Sequence, residues 1–259
     1  MKLVAGLILT LSFLGSLSFA ASADDCSSVD VRETMNPALQ KRFYAPYDQG
    51  QIGWCFGYAA ADVLSQAVGE PVSAVHLSSR YASTVTGIGR FARNIFMGKT
   101  AVAEGGFIEG AINEMQKLGH YCEDGAVTSK GTVLISRKKG IYEFGYALGT
   151  GFLMSYLKDY REGICTGDCN DFLDPLIQAY FPHQDVQAVK DYITKNKDQS
   201  LDRLVFALFD QACGEGRKDI TSDLQVISYV NSISRSNNND FQQQQEASDH
   251  IDEGLNAKK

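Results

Sequence analysis

The chain has 259 residues, 44% of them hydrophobic and 21% charged, with a net charge of −7. This is the composition of a globular protein, long enough for one large domain or two small ones. The acidic balance argues against a nucleic-acid partner, because phosphate recognition needs clustered Lys and Arg. The one basic cluster, Arg137-Lys138-Lys139, reads as a solvated loop.

Met1-Lys2 precedes an apolar run from Leu3 to Ala20, and Ala21-Ser22-Ala23 supplies the small residues that a signal peptidase reads. Residues 1–23 are expected to form a secretory signal peptide cleaved before Asp24, not a membrane anchor. No later segment is apolar over a bilayer-spanning length. The expected product is secreted or periplasmic, with no membrane partner after cleavage and with disulfides permitted. The cysteines are Cys26, Cys55, Cys122, Cys165, Cys169 and Cys213. If Cys55 stays free, two disulfides and one spare thiol is the simplest arithmetic, with the pairing left open. Cys165 and Cys169 are spaced too loosely for a metal motif and read as a disulfide loop. No metal and no cofactor is expected.

Residues 24–47 read as irregular, with Asn36-Pro37 starting a short helical turn. From Cys55 to Val68, Phe56, Ala59, Ala60, Val63, Leu64 and Ala67 recur at helical spacing until Gly69 and Pro71 stop the helix. A short helix is expected near 73–81, a Gly-dotted loop over 86–106, and a third helix over Phe107–Leu118, ended by Gly119. Thr132–Arg137 reads as a short strand. Segments near 143–160, 172–180, 184–195, 201–213 and 220–232 read as helical. Residues 235–259 are Asn- and Gln-rich without apolar periodicity and are expected to be a disordered polar tail. The expected fold class is mainly α, α+β at most, with a first domain over 24–125 and a helical region of unassigned type over 126–234.

The segment 48–58 reads DQGQIGWCFGY. A cysteine in the first turn of a helix meets unsatisfied backbone N–H groups and the positive end of the helix dipole, which favour a negative charge there. The thiolate is the reactive form of cysteine. Gly50 and Gly53 permit a tight backbone before the helix, and Gln49 carries an amide able to donate to an oxyanion. On spacing alone, a buried structural cysteine and a nucleophile both fit Cys55.

Gln49-Gly50-Gln51-Ile52-Gly53-Trp54-Cys55-Phe56 resembles the active-site segment of the papain-like cysteine peptidases, whose pattern is Gln-Gly-x-Cys-Gly-Ser-Cys-Trp. Two later segments match in the same order. Ser73 to Ser79 resembles the family's Leu-Ser-x-x-x-Leu helix. Glu104-Gly105-Gly106-Phe107 through His120-Tyr121 resembles its Cys-Asn-Gly-Gly segment. The resemblance spans residues 44–125, the helical left half of that fold. It implies that Cys55 is the nucleophile, that Gln49 is the oxyanion donor, and that Gly105 and Gly106 line the substrate cleft. Where the family has a disulfide, this chain has Ile52 and Ala103, so both halves are replaced together.

The family also needs an imidazole ~130–150 residues after the nucleophile, at the start of a strand in a right-hand β domain. No such domain is recognisable here. His76 reads as a surface or satisfied residue, His120 as a turn residue, and His250 lies in the polar tail. His183 is 128 residues past Cys55, but its context starts a helix, so it is a candidate by distance only. The expected function is therefore an exported peptidase acting on peptides or proteins, with its histidine half diverged or supplied by a partner. The alternative is a non-catalytic papain-like module that binds peptides or a protein partner.

Overall fold

A computed structural model describes residues 31–45, 47–84 and 105–220. The expected signal peptide, most of the Gly-dotted loop with Ala103, the helix at 221–232 and the polar tail lie outside these residues, as does Cys26. The chain divides into two units, Met1–Thr34 and Met35–Lys259. In the first, Val31–Thr34 forms one 3-10 turn.

The second unit is mainly α. Among the described residues it contains eight α-helices: α1 Pro37–Tyr44, α2 Cys55–Val68, α3 Ala74–Thr84, α4 Ile108–Leu118, α5 Thr150–Arg161, α6 Cys169–Tyr180, α7 Val186–Lys195 and α8 Leu201–Cys213. The described strands are β1 His120–Cys122, β2 Thr132–Lys139, β3 Tyr142–Gly149 and β4 Arg217–Asp219. They form two antiparallel pairs, β1 with β4 and β2 with β3. No helix among the described residues is long and apolar enough to cross a membrane.

Local chemistry sets the helix ends. The Asn36 side chain accepts from the Leu39 N–H at 3.0 Å, and Pro37 occupies the first turn, where its missing N–H costs nothing. Asp185 caps α7 in the same way through the Ala188 N–H. Gly69 and Gly119 end α2 and α4 with φ of +83° and +82°, the left-handed conformation that glycine adopts without a Cβ clash.

Helix α3 is the centre of the fold, packed against α2, α4, α8 and β1. Its residues from Ala74 to Ser79 are all buried. The buried face of α2 runs through Gly57, Ala60, Ala61, Leu64 and Ser65, while Val63 and Ala67, expected on the apolar face, are exposed. The cause is Gly57. A Cβ there would sit 1.8 Å from Ser78 Oγ, so the missing side chain lets the helices close and turns α2 toward that contact. Residues of both sequence stretches, 24–125 and 126–234, join one hydrophobic cluster, with Trp54, Leu77, Met115, Leu153, Ile177 and Phe209 all near zero exposure.

Two expectations about this region are corrected. Arg137-Lys138-Lys139 is not a loop but the end of β2. Residues 143–149 are strand, not the start of a helix. Tyr142, Phe144 and Tyr146 recur at every second residue, the strand period. A two-residue turn at Gly140-Ile141, with Gly140 at φ +65°, folds this segment back onto β2. The helix begins at Thr150 instead. The cysteine arithmetic is met among the described residues by disulfides Cys122–Cys213 and Cys165–Cys169, with Cys55 free.

Candidate active site

Residues 52–55 alternate inward and outward. Ile52 and Trp54 are buried at 3% and 0% exposure, and they anchor the segment in the core. Cys55 is then left exposed, as the first residue of α2. No side chain caps this helix start. The Gly57 and Tyr58 N–H groups both turn back to the Trp54 carbonyl, at 2.8 and 3.2 Å.

The segment carrying Gly105 and Gly106 docks against Gly53 and Phe56, the residues on either side of Trp54-Cys55. The Gly105 N–H donates to the Gly53 carbonyl at 2.8 Å, and Gly105 takes φ +77°. Gly106 lies on the side chains of Tyr81 and Phe56, which a Cβ would approach to 2.5 and 3.0 Å. Both glycines are exposed. Backbone without side chains therefore borders the surface next to Cys55.

The turn carrying Gln49 is held from the other side of the sequence. The Gly50 N–H donates to Asp48 Oδ1 at 2.8 Å. Gly131, at φ +68°, presses so closely that a Cβ would fall 1.5 Å from the Asp48 carbonyl oxygen. The Gly131 carbonyl is in turn fixed by the Thr150 N–H at 2.6 Å and the buried Tyr180 hydroxyl at 2.7 Å. Gln49 itself is partly buried. Sequence reasoning did not find Gly131, Thr150 and Tyr180. An isolated glycine just before a strand was their only local signal.

The structure brings Gly105 and Gly106 against Gly53 and Phe56, close in sequence to Cys55, and places His183 elsewhere. His183 sits in the turn before α7 and lines a cavity of about 570 Å³ with Glu123, Gln184 and Glu215, which Cys55 does not line. His76, expected at the surface or satisfied, is fully buried in α3. Ser78 faces α2, and His76 is two residues earlier, a rotation of about 200° on a helix, so it projects away from α2.

His76 instead meets His120 and Asp210. His76 Nε2 lies 3.2 Å and His120 Nε2 2.7 Å from the same oxygen, Asp210 Oδ1. Arg217 donates to Asp210 Oδ2 at 3.0 Å. His120, expected in a turn, begins β1. Burial holds the His76 imidazole below its ordinary pKa, against the pull of Asp210. Partial burial opposes the charge on Asp210, but the two imidazoles and Arg217 outweigh it and hold the carboxyl below the usual carboxylate range. Sequence reasoning placed no site here.

No protein-family model matches the chain, and no curated protein or solved structure matches it significantly.

Proposed function

We propose that this protein is a papain-like thiol hydrolase half-site, with Cys55 attacking the carbonyl carbon of a peptide bond. The observation that carries this reading is the docking of Gly105 and Gly106 against Gly53 and Phe56, beside a free, exposed cysteine at the first residue of a 14-residue helix. A substrate strand lies along the glycine backbone, and the Gln49 amide donates to the oxyanion that forms as sulfur adds to the carbonyl. The fixed turn at Asp48–Gly50 keeps that amide in place without reorganisation during the reaction.

Such chemistry needs an imidazole to take the thiol proton and return it to the leaving amine. Among the described residues, His76 and His120 are bound to Asp210 and His183 lines another cavity. The base then comes from outside the described residues or from a partner chain. These same engagements favour the second reading, a papain-like module that binds peptides through the glycine-bordered surface and does not cleave them.

Incubation with an epoxysuccinyl inhibitor separates the two. The hydrolase reading expects stoichiometric labelling at Cys55, with labelling and peptide hydrolysis both lost in Cys55→Ala. Folded protein that neither labels nor cleaves, yet binds peptides, establishes the binding module in its place.

A further inference from the structure

We propose that His76, His120 and Asp210 form a three-ligand site for a divalent transition metal of the zinc class, with one coordination position open to solvent. The three elements α3, β1 and α8 each contribute one donor. His76 Nε2, His120 Nε2 and an Asp210 oxygen all lie within 4.8 Å of one another. Two imidazoles and a carboxylate are a donor set that suits zinc.

The dimensions fit a small opening of the cluster. Metal–ligand bonds of about 2.0–2.1 Å place tetrahedral donors ~3.3 Å apart. The His76–Asp210 separation, 3.2 Å, is already close to that value, and the His120–Asp210 separation, 2.7 Å, needs to widen by roughly half an ångström. His120 and Asp210 are the side chains able to move, at 14% and 25% exposure, while His76 is fixed at 0%. Arg217 holds Asp210 Oδ2, so Oδ1 is left as a single-oxygen ligand with its outer partner in place.

The surroundings are those of a rigid site. The Cys122–Cys213 disulfide lies two residues after His120 and three after Asp210, and it ties β1 to α8. The Phe206 ring lies 5.7 Å from the His76 ring. In the metal-free arrangement each Nε2–H points at Oδ1. Binding leaves each Nε2 lone pair on the metal, and the ring proton moves to Nδ1. His76 Nδ1 is buried with no hydrogen-bond partner among the described residues, so the donors of the site are Nε2 of each imidazole and Oδ1 of Asp210. His76 projects from α3 away from α2, the helix that Cys55 begins, so this site stands independently of the cysteine reading.

The test uses the full chain carrying Cys26→Ser and Cys55→Ser, which removes both cysteines outside the two disulfides as competing ligands. The metal-free protein is titrated with Zn2+ against a chromophoric chelator. The expected result is one Zn2+ per chain with micromolar or tighter affinity, weakened about 100-fold in both His120→Gln and Asp210→Asn. Absence of stoichiometric binding overturns the proposal, as does unchanged affinity in folded His120→Gln. If neither variant folds, Co2+ loading of the parent protein decides. Visible d–d bands without a thiolate charge-transfer band support the site, and a thiolate band places the metal elsewhere.

Discussion

Gly106 lies against the ring of Phe56, the residue that follows the Cys55 thiol, and a Cβ there would come within 3.0 Å of that ring and 2.5 Å of Tyr81. The absence of a side chain is thus a steric requirement of the surface bordering Cys55. In Gly106→Ala the added methyl meets ring atoms, not backbone, so stability should change by less than about 1 kcal/mol. Misplacing a peptide by an ångström is far more damaging, and cleavage or Cys55 labelling by a peptidyl inhibitor should slow by about 10- to 100-fold. Labelling by a small alkylating reagent should be unchanged. Equal slowing of both reagents would show that Gly106 shapes the thiol and not the substrate surface.

The contact between Gly57 and Ser78 predicts a rescue. Gly57→Ala puts a methyl within 1.8 Å of Ser78 Oγ and 2.8 Å of its Cβ, so α2 and α3 must separate. The cost should be about 1–3 kcal/mol in urea unfolding. Removing the opposing side chain relieves the clash, so Gly57→Ala with Ser78→Gly should lose less than the two single changes together. Simple additivity would show that the helices do not close through this pair.

Gly131 is locked twice, by its φ of +68° and by the Asp48 carbonyl oxygen. Gly131→Ala should cost about 2–4 kcal/mol. It should also displace the turn that carries Gln49. Where the variant still folds, Gln49→Ala should add little further loss of activity on top of it. Independent, multiplicative losses would separate Gly131 from the Gln49 turn.

The two disulfides should contribute unequally. Cys122–Cys213 closes 91 residues of separation and Cys165–Cys169 only four. On the loop-closure model their removal costs about 4–5 and about 2 kcal/mol respectively. Thermal unfolding of the paired Cys→Ala variants should show the larger drop for the first pair. A larger drop for the second would mean that its value lies in local geometry at the start of α6.

Alkaline titration should find phenols that ionise late. Burial pushes Tyr180 up to about 12. Burial also raises Tyr47, Tyr58 and Tyr121, helped at Tyr47 and Tyr121 by hydrogen bonds to Asp124 and Glu70. These groups favour the neutral phenol when folded. Their stabilisation is therefore complete below the unfolded value of about 10, and it is lost as pH rises from there toward 12. Absorbance at 295 nm should show at least four phenolates appearing only with the loss of near-ultraviolet circular dichroism. Smooth ionisation of every tyrosine near pH 10 with the fold intact would contradict the burial assigned here.

The residues that speak locally were legible in the sequence. Asn36-Pro37, Gly69 and Gly119 mark helix ends because capping and positive φ are decided within one turn of chain. The spacing from Gln49 to Cys55 marked the thiol because a turn and a helix start are local too. The 142–149 strand was missed because its aromatic residues alternate in a segment whose neighbours also fit a helix, and pairing with β2 settled the competition. The His76–His120–Asp210 cluster could not be read at all. His76 and His120 stand 134 and 90 residues from Asp210, and no local pattern connects them. Gly131 met Asp48 for the same reason. The sequence by itself determined where α1, α2 and α4 start or stop and which cysteine begins a helix, because those are properties of neighbouring residues. Only the tertiary structure decided which distant side chains share a carboxylate and which glycine holds the Gln49 turn, because close packing of remote segments brings those atoms together.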